Sequence, residues 1–221
     1  MTTKESDCTI SGGIDLQQHW EQAYRTKNTE QLGWYEADAA HSVALIKETG
    51  VATSAKILNI GVGSSVLIDQ LVAEGYEQVI ANDLSGKALE DIEIRLGAAS
   101  KNVAFIQDDL LEGNRLAALG PVAVWNDRAV LHFFTEKRDW ERYFSLLNKV
   151  LMPGGYAIIA VFSETGVQKC CGLPVQRYTE ELLTERMGSN FSLLKSFETT
   201  FINPNGGERP YIYTLFQKKD L

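Results

Sequence analysis

The chain has 221 residues, 44% hydrophobic and 23% charged, with a formal net charge of −8, an ordinary globular composition long enough to bury a core. That acidic balance excludes a broad nucleic-acid footprint, which needs a basic face. No run of about 18 apolar residues occurs, and Met1–Cys8 lacks the apolar centre of a signal peptide, so a cytosolic protein without a membrane span is expected.

Residues 1–13 are polar and end in Ser11-Gly12-Gly13, which reads as disorder. From Ile14 to about Lys27 the pattern is helical, with Trp20 and Tyr24 on one face. Gly33-Trp34-Tyr35-Glu36 reads as an aromatic loop. Asp38 suits the N-cap of a helix running to about Thr49, with Val43, Leu45 and Ile46 as its buried side and Gly50 as its stop. The stretch Lys56–Ser65 then reads as a buried strand (Ile57, Leu58, Ile60) that breaks at Gly61-Val62-Gly63, before a helical pattern over Val66–Val72. Glycines there let a ligand approach the main chain, and the following helix begins with unpaired N–H groups.

Further strands are expected at Gln78–Ala81, Val103–Ile106, Val122–Trp125 and Tyr156–Phe162. Helices are expected over Lys87–Leu96, capped by Ser85, and over Glu136–Val150, stopped at Met152-Pro153-Gly154-Gly155. Thr179 reads as the N-cap of a helix whose first turn carries Glu180 and Glu181. Phe191–Leu194 and Glu198–Ile202 suggest a sixth strand, Asn205-Gly206-Gly207 a turn, and Tyr211–Gln217 the returning antiparallel strand. Strands that alternate with helices predict an α/β fold, a parallel sheet with helices on both faces and an antiparallel far edge. One domain is expected over 14–221, with a helical cap over 14–50 and the core over 51–221.

In an open parallel sheet, ligands bind outside the carboxyl ends of the strands. Four successive strands here end in Asn59, Asn82-Asp83, Asp108-Asp109 and Asn126-Asp127, a polar rim that suits a binding crevice. Two nucleotide readings compete. The dinucleotide fingerprint G-x-G-x-x-G is met at Gly61 and Gly63 but has Val66 at its third small position. Asp83 stands where a carboxylate holds ribose hydroxyls, a feature common to NAD and S-adenosylmethionine sites.

Five segments in register decide between them. Ile57–Ser65, Ile80–Ser85, Phe105–Asp109, Val124–Phe134 with Leu131-His132, and Leu151–Tyr156 with its Pro-Gly-Gly turn resemble class I S-adenosylmethionine-dependent methyltransferases. The resemblance implies a Rossmann-like, seven-stranded mixed sheet with its last strand antiparallel, methyl transfer as the activity, S-adenosylmethionine as cofactor, and no metal. It places Gly61 and Gly63 along the methionine part and Asp83 at the ribose, with Leu84 a further expected cofactor contact. Asp109 and the Leu110 N–H meet the adenine. Asn59 lies at the amino end, where it replaces the family's usual acidic residue, and Asn126 is a further expected cofactor contact. Asp108 stands in place of a usual glycine and reads as a turn residue. Independently of the resemblance, the loop pair Trp34-Tyr35 is expected to close over the sulfonium, where an aromatic face is favourable.

Asp127-Arg128 resembles the strand-four end of thiopurine S-methyltransferase-like enzymes and is similar to an Asp-Lys pair in some protein lysine methyltransferases. The Asn-Pro-Pro-aromatic signature of adenine and glutamine methylation is absent. His19–Tyr24 with Trp34-Tyr35-Glu36 resembles the N-terminal cap of both groups. Asp127 is a candidate base or a partner of Arg128. Arg128 stabilises a thiolate or anionic acceptor, or pairs with a rim carboxylate. His132 is a base or a structural histidine. Trp20 and Tyr24 read as a hydrophobic seam. Tyr35, Cys170, Cys171 and Arg177 are candidate acceptor contacts, with structural thiols the competing reading for the cysteines. Cys8 and the pair Cys170-Cys171 form neither a disulfide framework nor a zinc site, so reduced thiols are expected. The expected acceptor is a small molecule with a thiol or similar soft nucleophile. The alternatives are a protein lysine and a non-catalytic nucleoside-binding module, and the oligomeric state stays open.

Overall fold

The computed structural model describes residues 15–26 and 28–220. The expected disorder of 1–13, the helix ends at Ile14 and Lys27, and Cys8 lie outside the described residues. In chain order come α1 (Leu16–Thr26), α2 (Ala40–Glu48), β1 (Lys56–Ile60), α3 (Leu67–Ala73), β2 (Gln78–Asp83), α4 (Gly86–Leu96), β3 (Val103–Gln107) and β4 (Val122–Arg128). They are followed by α5 (Lys137–Val150), β5 (Leu151–Phe162), a small ribbon of β6 (Lys169–Cys170) and β7 (Leu173–Pro174), α6 (Glu180–Met187), β8 (Phe191–Ile202) and β9 (Glu208–Lys218).

Seven strands form one sheet in the order β3-β2-β1-β4-β5-β9-β8. Strands β1 to β5 pair in parallel, and β9 runs antiparallel to both β5 and β8. The last strand of the chain is therefore the antiparallel one and lies one place in from the edge. The β8–β9 pairing slips at Leu193/Lys195, and the two segments expected between Phe191 and Ile202 form one continuous strand.

Alternation along each strand divides the core in two. Leu58, Ile60, Trp125, Ile159 and Val161 pack under Tyr143, Leu147 and Val150 of α5 and Leu183 of α6. Ile57, Val79, Ala81, Val124 and Ile158 pack on the other face under Leu45 and Ile46 of α2, Ile68 and Leu71 of α3, and Ile92 of α4. Each such burial contributes about 1.5–3 kcal/mol before conformational entropy is subtracted. Among the described residues, no helix is long and apolar enough to cross a membrane.

Helix starts follow the expected caps with one exception. Ser85 accepts the Ala88 N–H at 3.2 Å and Thr179 accepts the Leu182 N–H at 3.2 Å. Asp38 caps nothing, because its carboxylate accepts from Gln70 Nε2 of α3 at 2.8 Å, and α2 begins after Ala39 with no side-chain cap. The Pro-Gly-Gly turn is explained by crowding rather than by a helix stop alone. A Cβ on Gly155 would lie 2.9 Å from the Met152 carbonyl and 3.0 Å from the Ala123 carbonyl of β4. Glycine lets β5 enter the sheet directly after α5.

Removing the Thr179 cap tests how much α6 rests on that single bond. Thr179→Ala is expected to lower stability by about 1 kcal/mol, read as a shifted urea midpoint with unchanged slope.

Candidate functional site

Three neighbouring strands, β2, β1 and β4, end at one rim, and their pleat selects what faces the cavity. Asp83 continues the row of Val79 and Ala81, Asn59 that of Ile57, and Asn126 and Arg128 that of Val124. All four side chains line one cavity, with an empty volume of ≈ 1320 Å³ counted out to solvent.

At its floor Asn126 Nδ2 donates to Asn59 Oδ1 at 3.3 Å, and Asn59 Nδ2 donates to the Ile80 carbonyl at 3.3 Å. The Asn59 amide is thus spent on the sheet, while Asn126 Oδ1 is buried with no partner. Asp83 accepts the Gly63 N–H on Oδ2 and the Ser85 N–H on Oδ1, each at 2.8 Å. Burial raises its carboxyl to about 6 against the pull of those bonds. The glycine turn has φ of 55° at Gly61 and 50° at Gly63, the left-handed region that favours glycine. A Cβ on Gly61 would also collide with Val130. Leu84, Asp109 and Leu110 continue the wall. Asp108 caps the next turn through the Arg115 and Leu116 N–H groups at 2.9 and 3.0 Å, as its turn reading expects.

The segment before α2 closes the cavity from above. Trp20 meets Trp34 and Phe133 edge-on at 5.4 and 5.1 Å, and Tyr24 meets Trp34 at 5.7 Å. Tyr24 brings its hydroxyl over Gly63, and burial pushes that hydroxyl's pKa well up. Glu21 pins α1 to the start of α4 by accepting from Ser85 Oγ at 2.7 Å and the Lys87 N–H at 3.2 Å.

The far end is built around Arg128. Its guanidinium lies 5.0 Å from both the Phe201 and Tyr211 ring centres, a double cation–π contact. Nε donates to the Tyr213 hydroxyl at 3.1 Å and stands 3.2 Å from Glu36 Oε2, while Nη2 is buried without a partner. His132 stacks on Phe162 at 4.3 Å, and neither ring nitrogen has a partner. Burial, with Arg128 close by, lowers its pKa to about 3, so the imidazole is neutral.

Several expected site residues lie elsewhere. Asp127 is fully buried and does not line the cavity. The sequence reading ends the fourth strand at Trp125, but β4 runs to Arg128, and alternation turns Asp127 to the α5 face. There it accepts the Val130 and Leu131 N–H groups at 2.9 and 3.0 Å and the Tyr143 hydroxyl at 2.7 Å. It is neither a base at the cavity nor the partner of Arg128, which is Glu36. Gly63, buried under the Tyr24 hydroxyl with its N–H spent on Asp83, does not line the cavity, nor do Tyr35 and Arg177, and of the two cysteines only Cys170 lines it. Arg177 instead reaches toward the Gly166 carbonyl at 3.5 Å. Cys171 occupies the ribbon turn with φ of 54°, its sulfur 3.6 Å from that of Cys170.

Sequence reasoning did not assign Glu36, Ser42, Arg209 or Tyr211 to the site, although all four line it. Trp20 and Tyr24 form the expected aromatic seam and are cavity wall as well. The signal for Tyr211 was available in its strand: Tyr211, Tyr213 and Leu215 alternate onto the face that carries Arg128. Among the described residues, no group of three His, Cys, Asp or Glu side chains is placed to hold a metal.

Residues 57–155 match the family model described as a methyltransferase domain. No curated protein sequence matches the chain. Among solved structures, it is similar to an S-adenosylmethionine-dependent methyltransferase from Anabaena variabilis, at 17% identity over 98% of this chain and 100% of that one, with TM-score 0.75. It is also similar to 1,6-didemethyltoxoflavin-N1-methyltransferase from Burkholderia thailandensis, solved with 1,6-didemethyltoxoflavin and S-adenosylhomocysteine, at 19% identity over 97% and 94%, TM-score 0.69. A third similar structure concerns conversion of a disulfide bond into a thioacetal group during echinomycin biosynthesis, at 18% identity over 92% and 93%, TM-score 0.73. At such identities the likeness establishes the fold.

The placement of Asp127 predicts a stability phenotype. Asp127→Ala leaves three buried donors unpaired and is expected to cost roughly 3–5 kcal/mol, measured by urea unfolding. A variant as stable as the parent would mean that those bonds do not hold the turn after β4.

Proposed function

We propose that this class I S-adenosylmethionine-dependent methyltransferase delivers its methyl group to a small-molecule acceptor that presents a thiol or similar soft nucleophile. The observation that carries this reading is the far end of the cavity, where aromatic rings stand beside the unpartnered Arg128 Nη2 and His132 nitrogens.

The residues present fit the cofactor. Asp83 is a carboxylate at the ribose position, and Asp109 with the Leu110 N–H suits adenine. Gly61 of the glycine turn lines the cavity, where the methionine part would lie. Asn126 Oδ1, a buried acceptor without a donor, suits an ammonium. Trp34 offers an aromatic wall to a positive charge. Bound there, S-adenosylmethionine supplies an electrophilic methyl on a sulfonium.

On the acceptor side the chain contributes positioning, electrostatics and exclusion of water. His132 is too weakly basic to hold a proton near neutral pH, Asp127 faces the other side of the sheet, and Glu36 is paired with Arg128. None of them is a ready base, which suits a nucleophile that ionises by itself. Arg128 Nη2 then donates to the anion and His132 orients it. One similar structure concerns conversion of a disulfide bond into a thioacetal group and another holds 1,6-didemethyltoxoflavin, which supports a small-molecule acceptor. Cations at the acceptor end, Arg128 and Arg209, argue against a lysine ammonium.

Methyl-labelled cofactor offered in parallel with thiols, amines and a cell lysate tests the acceptor. Label is expected in the thiols, whereas label in lysate proteins alone would replace this reading with the lysine one. Asp83→Ala is expected to weaken S-adenosylhomocysteine binding by about 1–3 kcal/mol in calorimetry. The same titration across pH should show affinity falling as pH drops through about 6. Ribose hydroxyls favour the carboxylate, whereas protonation of the free site opposes binding, by up to about tenfold per pH unit.

A further inference from the structure

The charges along the cavity are not evenly shared. Asp83, Asp108 and Asp109 lie at the ribose and adenine end, and Glu36 and Arg128 offset each other at the far end. Arg209, on the cavity wall at the start of β9, belongs to no ion pair among the described residues. In a chain of net charge −8, whose overall field repels anions, an uncompensated arginine on a cavity wall is a local reversal.

The loop before β9 is shaped to hold this guanidinium. Asn203 Oδ1 accepts the Asn205 and Gly207 N–H groups at 3.0 and 2.8 Å, and so fixes the turn. A Cβ on Gly207 would lie 3.0 Å from Arg209 Nη1 and 3.1 Å from Asn203 Nδ2, so glycine makes room for the guanidinium. Nη1 donates to the Glu208 carbonyl at 2.9 Å, which fixes the fork. The field of Arg209 reaches the acceptor wall. The Cys170 thiol is drawn below its usual pKa by the Cys171 thiol and, more weakly, by Arg209, against burial.

We propose that Arg209 is an anion anchor for the acceptor, so that the methyl acceptor carries a carboxylate or other oxyanion at the end remote from its nucleophile. This rests on the reading of the cavity as a methyltransferase acceptor site. A guanidinium fork matches a carboxylate in two-point geometry, and anchoring one end of a small acid would orient the other toward Arg128 and His132.

The test uses the protein loaded with S-adenosylhomocysteine and two probes, para-mercaptobenzoate and its neutral amide. Binding is read from the fluorescence of the cavity tryptophans. The acid is expected to bind about tenfold more tightly than the amide, with the preference reduced by added salt. Arg209→Gln should abolish the preference, and Gly207→Ala, which displaces the guanidinium without removing it, should reduce it. Equal binding of acid and amide, binding of neither, or a preference that survives Arg209→Gln would each overturn the proposal. Failure of S-adenosylhomocysteine to bind would overturn the methyltransferase reading instead, and the Arg209 comparison would still be measurable on the unloaded protein.

Discussion

The period-two alternation of side chains along β2, β1 and β4 decides what the cavity is made of. With the strands in parallel register, one face of their carboxyl ends collects Asp83, Asn59, Asn126 and Arg128. The opposite face of β4 takes Asp127 into a bonded cluster with Tyr143 and Trp125, whose indole donates to the Tyr143 hydroxyl at 3.0 Å. A register slip of one residue in β4 would exchange these sets. It would bury Arg128 under α5 and bring Asp127 into the cavity.

Arg128 turns that alternation into a joint between distant parts of the chain. It lies against rings from β8 and β9, pairs with Glu36 of the segment before α2, and hydrogen-bonds Tyr213. A buried guanidinium is costly unless it is paired, and here the rings, the carboxylate and the hydroxyl share that cost. The same contacts bring β8–β9 and the loop of Trp34 to the cavity. This end of the cavity is therefore assembled around one charge.

Most of the fold was legible because it rests on local signals. Buried runs such as Ile57–Ile60 and Ile158–Phe162, caps at Ser85 and Thr179, and the Asn205-Gly206 turn act over a few residues. The rim formed by β1 to β3 was legible for the same reason, since Gly61, Asp83 and Asp109, which line the cavity, sit at strand ends recognisable in sequence. The end of β4 was not. Asn126-Asp127-Arg128 has poor intrinsic strand preference, and tertiary partners keep it extended: the β5 ladder on one side and Tyr143 and Glu36 on its two faces. Glu36, Arg209 and Tyr211 were missed because they reach the cavity from segments that are far apart in sequence.

The slipped register at Leu193/Lys195 has a consequence outside the site. β8 is the long edge of the sheet, twelve residues whose outer backbone groups face no further strand among the described residues. An edge of that length is a template for another chain. The irregularity interrupts its row of donors and acceptors near the middle of the N-terminal half, and Lys195, paired with Glu48 at 2.6 Å, puts a charge there. β3, the opposite edge, is only five residues long. The sheet thus ends at both sides in ways that discourage it from growing.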